Sequence, residues 1–442
     1  MEKLNAFFKH RQALFVLRLP SVAMFVFIIY AGLFGNYYRN IAPLLMGAVW
    51  LVAISVIVLF AGKLWCTFCP WDAISEWVQR VTFWRVKKAP FNMGLKWPSF
   101  LRNIHIPLLM LIVLIWAEYS FALTDDPRNV AYLSLGMLTV TFVSAMFFEK
   151  KSFCRYGCPV GAMTGIMAMF AGLNVRSVSK NVCDKCRTKD CVRGNEKGYG
   201  CPVYEYPGGM KTNLNCIVCT ECVKTCPYDN MRIRTRRFSG ELEAVPGLGK
   251  DVILAIAVLL ALTTFSGWAK MGMYDALAEK MHAAGYSEII VHLALFLPFL
   301  IAVPLLFYAF AYFTAAIHKV PAGKAAEKAA YALVPLVIFI HLGYIVRHFL
   351  TQAGRLVPLI SDPLGTGADL FGTAGMVEMD FVPPSVYKTL SMAVMALGLM
   401  LSLRLAGRMF GETGGESKRA LIFQVFFVLL VTAINVFFII VP

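Results

Sequence analysis

The sequence predicts an all-α polytopic membrane protein of about nine spanning helices, interrupted by a small inserted cysteine-rich domain. Three observations predict it. Of the 442 residues, 58% are hydrophobic and only 15% charged, a balance that a soluble chain of this length does not carry. Apolar runs long enough to cross about 30 Å of hydrocarbon recur along the chain. Eight of the twelve cysteines fall within residues 183–226, between two blocks of such runs.

The runs lie at 20–35, 42–62, 104–122, 132–148, 251–268, 288–315, 331–350, 385–403 and 420–441. Four precede the cysteine cluster and five follow it. They divide the chain into a four-span module (1–175), a soluble domain (176–248) and a five-span module (249–442). Lysine and arginine predict the orientation. With Lys3, Lys9, Arg11 and Arg18 in the cytoplasm and sides alternating, the outer loops hold only Arg39, Arg128, Lys270, Lys280 and Arg355. The cysteine domain is then cytoplasmic and the C-terminus periplasmic, at a bacterial inner membrane. The net charge of +16 reflects this asymmetry, so no nucleic-acid partner is needed to explain it. The N-terminus is basic, then apolar, with no A-x-A site, and reads as an uncleaved anchor. Every cysteine falls at or inside the cytoplasmic face, where reducing conditions disfavour disulfides.

The cysteine domain reads Cys183-x2-Cys186-x4-Cys191-x9-Cys201-Pro202, then Cys216-x2-Cys219-x2-Cys222-x3-Cys226-Pro227. The second run has the bacterial iron–sulfur spacing. Three thiolates of a tight loop hold one cubane, and the fourth, before proline, ligates its neighbour. That rule gives Cys201, Cys216, Cys219 and Cys222 to one [4Fe–4S] cluster and Cys183, Cys186, Cys191 and Cys226 to another. The insertion is then a two-cluster, ferredoxin-like domain. A zinc ribbon is the competing reading, and zinc sites seldom use this spacing.

The other four cysteines end two hairpins, at Lys63-Leu64-Trp65-Cys66-Thr67-Phe68-Cys69-Pro70 and at Lys151-Ser152-Phe153-Cys154-Arg155-Tyr156-Gly157-Cys158-Pro159. This is an internal repeat of two spans and one thiol pair. Three readings stay open: a third iron–sulfur cluster, a redox or copper-handling thiol set, and structural thiols capping helices. Residues 71–88 read as an interfacial amphipathic helix, with Trp71, Ile74, Trp77, Val78, Val81 and Trp84 on its apolar side. The five later spans hold no cysteine. There His292 and His348 are candidate axial ligands of a b-type haem from facing helices, and His341 a candidate for a second haem or a quinone. The competing reading makes all three hydrogen-bonding residues between helices. Glu118 and Arg347 are further ionisable groups near span ends.

Four spans, two cytoplasmic Cys-x(n)-Cys-Pro motifs and a following two-cluster segment resemble the NapH/NosR/CcoG group of membrane polyferredoxins, over about residues 10–240. The resemblance implies two [4Fe–4S] clusters on the eight domain cysteines and a redox role for Cys66, Cys69, Cys154 and Cys158. NapH-type members are quinol dehydrogenases that feed periplasmic reductases, and CcoG-type members assist copper delivery to oxidases. This chain departs from the pattern in its first motif, Cys-x2-Cys-Pro, and in its five later spans. The expected function is a membrane-integral, quinol dehydrogenase-like electron-transfer subunit between the quinone pool and a redox partner protein. The alternative is a copper reductase or assembly factor for an oxidase.

Overall fold

Apolar side chains dictate helices here, because a backbone in hydrocarbon must satisfy its own hydrogen bonds. The computed structural model describes residues 2–10, 12–80, 91–244, 247–376, 382–410 and 415–441. Among them, eight helices are long and apolar enough to cross a membrane: Ala13–Phe34, Ile41–Ala61, Pro127–Phe147, Lys250–Trp268, Glu288–Ile317, Ala322–Ser361, Pro384–Phe410 and Lys418–Ile440. A ninth apolar helix, His105–Phe121, is 17 residues long. Each of the nine apolar runs lies on one of these helices.

Two compact units share the chain. The first comprises Met1–Leu33, Ile54–Met110 and Val130–Glu241; the second comprises Phe34–Ala53, Leu111–Asn129 and Leu242–Pro442. These units cut across the three modules expected from the sequence. The cysteine-rich segment counts with the first hairpins, and the 34–53 and 111–129 segments count with the later helices.

In the first unit, the described sheet is one antiparallel pair, β1 (Leu173–Ser177) and β2 (Met231–Thr235), with Val175 opposite Ile233. The two-residue period of a strand turns Val175, Met231 and Ile233 inward and leaves Arg234 outside. Phe8, Leu14, Val218 and Val223 complete this core around Cys191 and Cys222. Asn5 closes the edge of β2, accepting from the Ile233 N–H at 2.9 Å.

The expected interfacial helix is present in part. Residues 81–88 lie outside the described residues. The helix Pro70–Arg80 presents Val78 outward, yet it buries Trp71, Asp72, Ser75, Glu76 and Gln79. Its polar face is the inner one, which corrects the expectation of a simple surface anchor. Buried cations face those carboxylates, as described below.

In the second unit, the helix Ala322–Gln352 is the axis of a bundle formed with Lys250–Trp268, Glu288–His318, Pro384–Phe410 and Gly415–Ile440. Its residues from Ala329 to Ile340 are all buried. Small and polar residues hold the bundle, since lipid gives helices no hydrophobic reason to associate. Gly398 lets Phe339 approach so closely that a Cβ there would meet Phe339 Cβ at 2.5 Å. Beside Pro335, the Leu336 N–H donates to Ser402 Oγ at 2.9 Å. Tyr344 Oη donates to Asn435 Oδ1 at 3.0 Å. Gly398→Leu forces this contact apart, and the expected loss is about 1–3 kcal/mol, measured as a lower unfolding temperature in detergent. Unchanged melting would show that the helices slide freely past each other.

Candidate metal centre

The two hairpin ends adopt one local design. Cys69 (φ −53°, ψ 122°) and Cys158 (φ −71°, ψ 120°) are both extended, as residues before proline must be, and Pro70 and Pro159 each open a short helix. The backbone N–H three residues on, of Asp72 or Gly161, donates to the thiol at each helix start. Gly161 admits this approach, because a Cβ would lie 2.9 Å from Cys154 O.

Each repeat also carries a lysine three residues before its first cysteine, and each lysine crosses to the other repeat. Lys63 Nζ donates to Gly161 O at 3.0 Å. Lys151 Nζ pairs with Asp72. Gly161 and Asp72 are equivalent positions, each third after a second cysteine. Lys63 is only 2% exposed and Lys151 8%, so neither cation is at home in water. The two repeats are thereby locked by a reciprocal exchange, and Cys66, Cys69, Cys154 and Cys158 come within electrostatic range of one another.

Asp72 and Glu76 extend this exchange into a buried ion cluster. Glu76 meets Arg18 at 2.8 Å, Arg80 at 2.7 Å and Lys151 at 2.5 Å. Cys154 Sγ donates to Asp72 Oδ1 at 3.3 Å. Burial alone would raise the Glu76 carboxyl, but Arg18, Arg80 and Lys151 outweigh it and hold that group well below the usual carboxylate range. Burial pushes all four thiols up, Cys158 to about 12, and Lys63 opposes the rise at Cys66 and Cys158. Four crowded thiolates need a compensating cation, which iron bound between them would provide.

The other eight thiols line two cavities. Cys183, Cys186, Cys191 and Cys226 line one of them. Cys201, Cys216, Cys219 and Cys222 line the second. N–H donors are aimed at the sulfurs in both. Asn230 gives its backbone N–H to Cys226 Sγ at 3.3 Å and its amide to Cys183 Sγ at 3.2 Å. In the tight loop, Val218 (φ +56°) and Thr220 (φ +60°) take the left-handed conformation that β-branched residues avoid. The Val218 N–H donates to Cys216, and the Glu221 N–H to Cys219. Both cavities fit a thiolate-held cluster whose charge is moderated by amides.

The three thiol groups form a row. Cys191 and Cys222 share one packed core, and the Cys201 N–H donates to Cys191 O at 2.8 Å. Cys66 packs against the small core of Cys201, Val203, Ile217 and Cys219. Thr67 Oγ1 donates to Ile217 O at 2.5 Å, which fastens the membrane quartet to the tight loop.

Comparison with known proteins accords with this geometry. A family model described as "4Fe-4S binding domain" matches residues 43–92 and again 130–176, one match on each hairpin end. An uncharacterized protein of Methanocaldococcus jannaschii is 30% identical over 51% of this chain and 85% of its own length. The ferredoxin-type protein NapH of Escherichia coli is 24% identical over 43% of this chain and 68% of its own length. The chain belongs to the NapH-type membrane polyferredoxins. The putative electron transport protein YccM of Escherichia coli is 26% identical over 40% of this polyferredoxin, which spans 52% of that protein. No solved structure matches the polyferredoxin. It is thus a multi-pass membrane protein that binds iron–sulfur clusters and serves electron transfer.

The matches to these relatives reach at most about half of the polyferredoxin, and its histidines behave differently from its cysteines. His292 is buried and already engaged, by Tyr274 Oη at Nδ1 and by Glu288 at Nε2, 2.7 Å away. Among the described residues no hydrogen bond or ring contact joins it to His348. His341 and His348 share the helix Ala322–Gln352, and the charge of Lys270 reaches both. His341 Nε2 is buried without a hydrogen-bond partner among the described residues. Sequence reading missed Lys63, Lys151, Asp72, Glu76 and Arg18; the shared offset of three residues on either side of the thiol pairs was the available signal. Glu76→Gln leaves Arg18 and Lys151 short of a buried counter-charge, and the expected cost is about 3–5 kcal/mol at pH 7. The folded Glu76 pKa is depressed, so its contribution is present above the unfolded value of about 4.3 and is lost as pH falls through the folded one. Thermal unfolding from pH 7 downward therefore shows a gap between wild type and variant that closes only in more acid solution than ordinary carboxylates require. A gap that closes on the alkaline side of pH 5 would contradict this account.

Proposed function

We propose that this chain is a membrane-integral electron-transfer subunit of a respiratory or redox complex, passing electrons between the quinone pool and a partner protein. The observation that carries the reading is the row of three four-thiol groups in one unit. Bound there, iron–sulfur clusters supply one-electron transfer without proton or group transfer. Cys183, Cys186, Cys191 and Cys226 hold the first cluster, and Cys201, Cys216, Cys219 and Cys222 the second. Cys66, Cys69, Cys154 and Cys158 hold a third, each repeat giving one thiol pair. The reciprocal lysines, buried amides and ion cluster fix these thiols and set their electrostatic surroundings.

The distribution of lysine and arginine supports an inner-membrane location with the thiol row on the cytoplasmic side. The unpaired His341 Nε2 supports a quinone-facing role for the second unit, since a quinone carbonyl can accept from it. Relatives named NapH and as the methylamine utilization ferredoxin-type protein MauN support a redox partner, which neither relative's name identifies.

Anaerobically purified protein is expected to hold roughly twelve iron and twelve acid-labile sulfide per chain, four of each per cubane. Cys66→Ser and Cys158→Ser should each remove about a third of the iron, and a short-chain quinol should reduce the remainder. Full iron in both variants would sink the third cluster, and iron that no quinol reduces would sink the quinone link. Lys63→Met removes a positive charge beside the quartet, so the midpoint potential of the signal lost in Cys66→Ser should fall, as read by redox-poised electron paramagnetic resonance.

A further inference from the structure

Outside the thiol row, one cluster of ligating side chains remains unused. The helix Gly272–Ala283 ends in a Schellman turn on Gly285 (φ +87°), with the Gly285 N–H on His282 O and the Tyr286 N–H on Met281 O. That turn leads directly into the helix Glu288–His318. His282, in the last turn of the first helix, is thereby brought to Glu288 and His292, one turn apart on the second. His282 Nε2 lies 3.1 Å from Glu288 Oε2, and His292 Nε2 lies 2.7 Å from Glu288 Oε1. One donor atom from each of the three residues falls within 4.8 Å of the others.

The outer nitrogens explain why these rings point as they do. His282 Nδ1 faces the Tyr286 carbonyl oxygen at 3.3 Å. A carbonyl can only accept, so the Nδ1–H donates to it and Nε2 is the nitrogen left facing the carboxylate. Nε2 and Glu288 Oε2 lie 3.1 Å apart, two ligand atoms that a shared cation would bridge. His292 Nδ1 is held by Tyr274 Oη, and Tyr274 is itself buried. Imidazoles whose second nitrogen is fixed by an oxygen partner are the ordinary outer shell of a metal site.

We propose that His282, Glu288 and His292 form a binding site for a first-row divalent cation of the zinc class, oriented by Tyr274 and the Tyr286 carbonyl. Two imidazoles and one carboxylate suit such an ion better than calcium or magnesium, which favour oxygen ligands alone. Glu288 is largely exposed and His282 partly so, which leaves the fourth position to water. The ion clips the two helices together across the turn. It also takes His292 out of the axial pair considered for a haem.

The test uses full-length protein in detergent with its iron–sulfur clusters intact, treated with a chelator and titrated with zinc. Wild type is expected to take up one zinc beyond any bound elsewhere and to melt at a higher temperature when loaded. His282→Ala and Glu288→Gln, both at solvent-reached positions, should lose that one zinc and the thermal gain while keeping the wild-type iron content. Tyr274→Phe should weaken binding by about 10- to 100-fold. Equal zinc stoichiometry and affinity in wild type and in both ligand variants would overturn the proposal. So would a wild type that takes up none, which would leave a proton as the bridging cation.

Discussion

Two lysines exchanged between repeats are the constraint on which the rest of the first unit depends. Lys63 and Lys151 are long enough to span from one hairpin end to the other, and both are buried. A buried ammonium is tolerated only where its donors are satisfied and its charge is matched. Gly161 O and Asp72 are within reach only when the two hairpin ends sit face to face. The cost of desolvation therefore enforces the pairing, and the pairing brings two thiol pairs together. Asp72, Glu76, Arg18 and Arg80 broaden the same lock, so the helix Pro70–Arg80 turns its charged face inward.

From that anchor the thiol row follows by short steps. Thr67 ties the first hairpin end to the Ile217 carbonyl, which lies inside the tight cysteine loop. The loop itself is held in a conformation its β-branched residues disfavour, at Val218 and Thr220. Strain of that kind persists where surrounding structure over-determines it, and here it turns N–H groups toward sulfur. The small core of Val175, Met231 and Ile233 then carries the row on to the cavity around Cys183 and Cys226.

Much of the architecture is legible in the sequence because a spanning helix is a continuous apolar run, a signal that needs no tertiary context. Its boundaries are less so. The first span begins at Ala13 and not near residue 20, since Arg18 finds a buried partner in Glu76 and need not end the helix. The cysteine spacing and the fold place the same four thiols around each of the two cavities, because the C-P rule already encodes a chain that leaves one loop for the next. What the sequence conceals is pairing at a distance. Asp72 and Glu76 read as the wet side of a surface helix until Arg18 and Lys151 are seen opposite them. Nothing in the spacing of His282 and Glu288 marks them as neighbours, and only the turn at Gly285 folds one onto the other.

The quartet is divided evenly, with two thiols and one lysine from each repeat, and each half donates to the same offset in its counterpart. A solitary hairpin of this kind would carry half a coordination shell and an ammonium without its cross-repeat acceptor. It could complete both only by meeting a twin. Here both halves are carried on one chain, so the shell and the lysine exchange close within a single molecule. The extra residue in the second motif, Gly157, lies where a side chain would strike the Phe153 ring, so the longer spacing is bound to a residue without one.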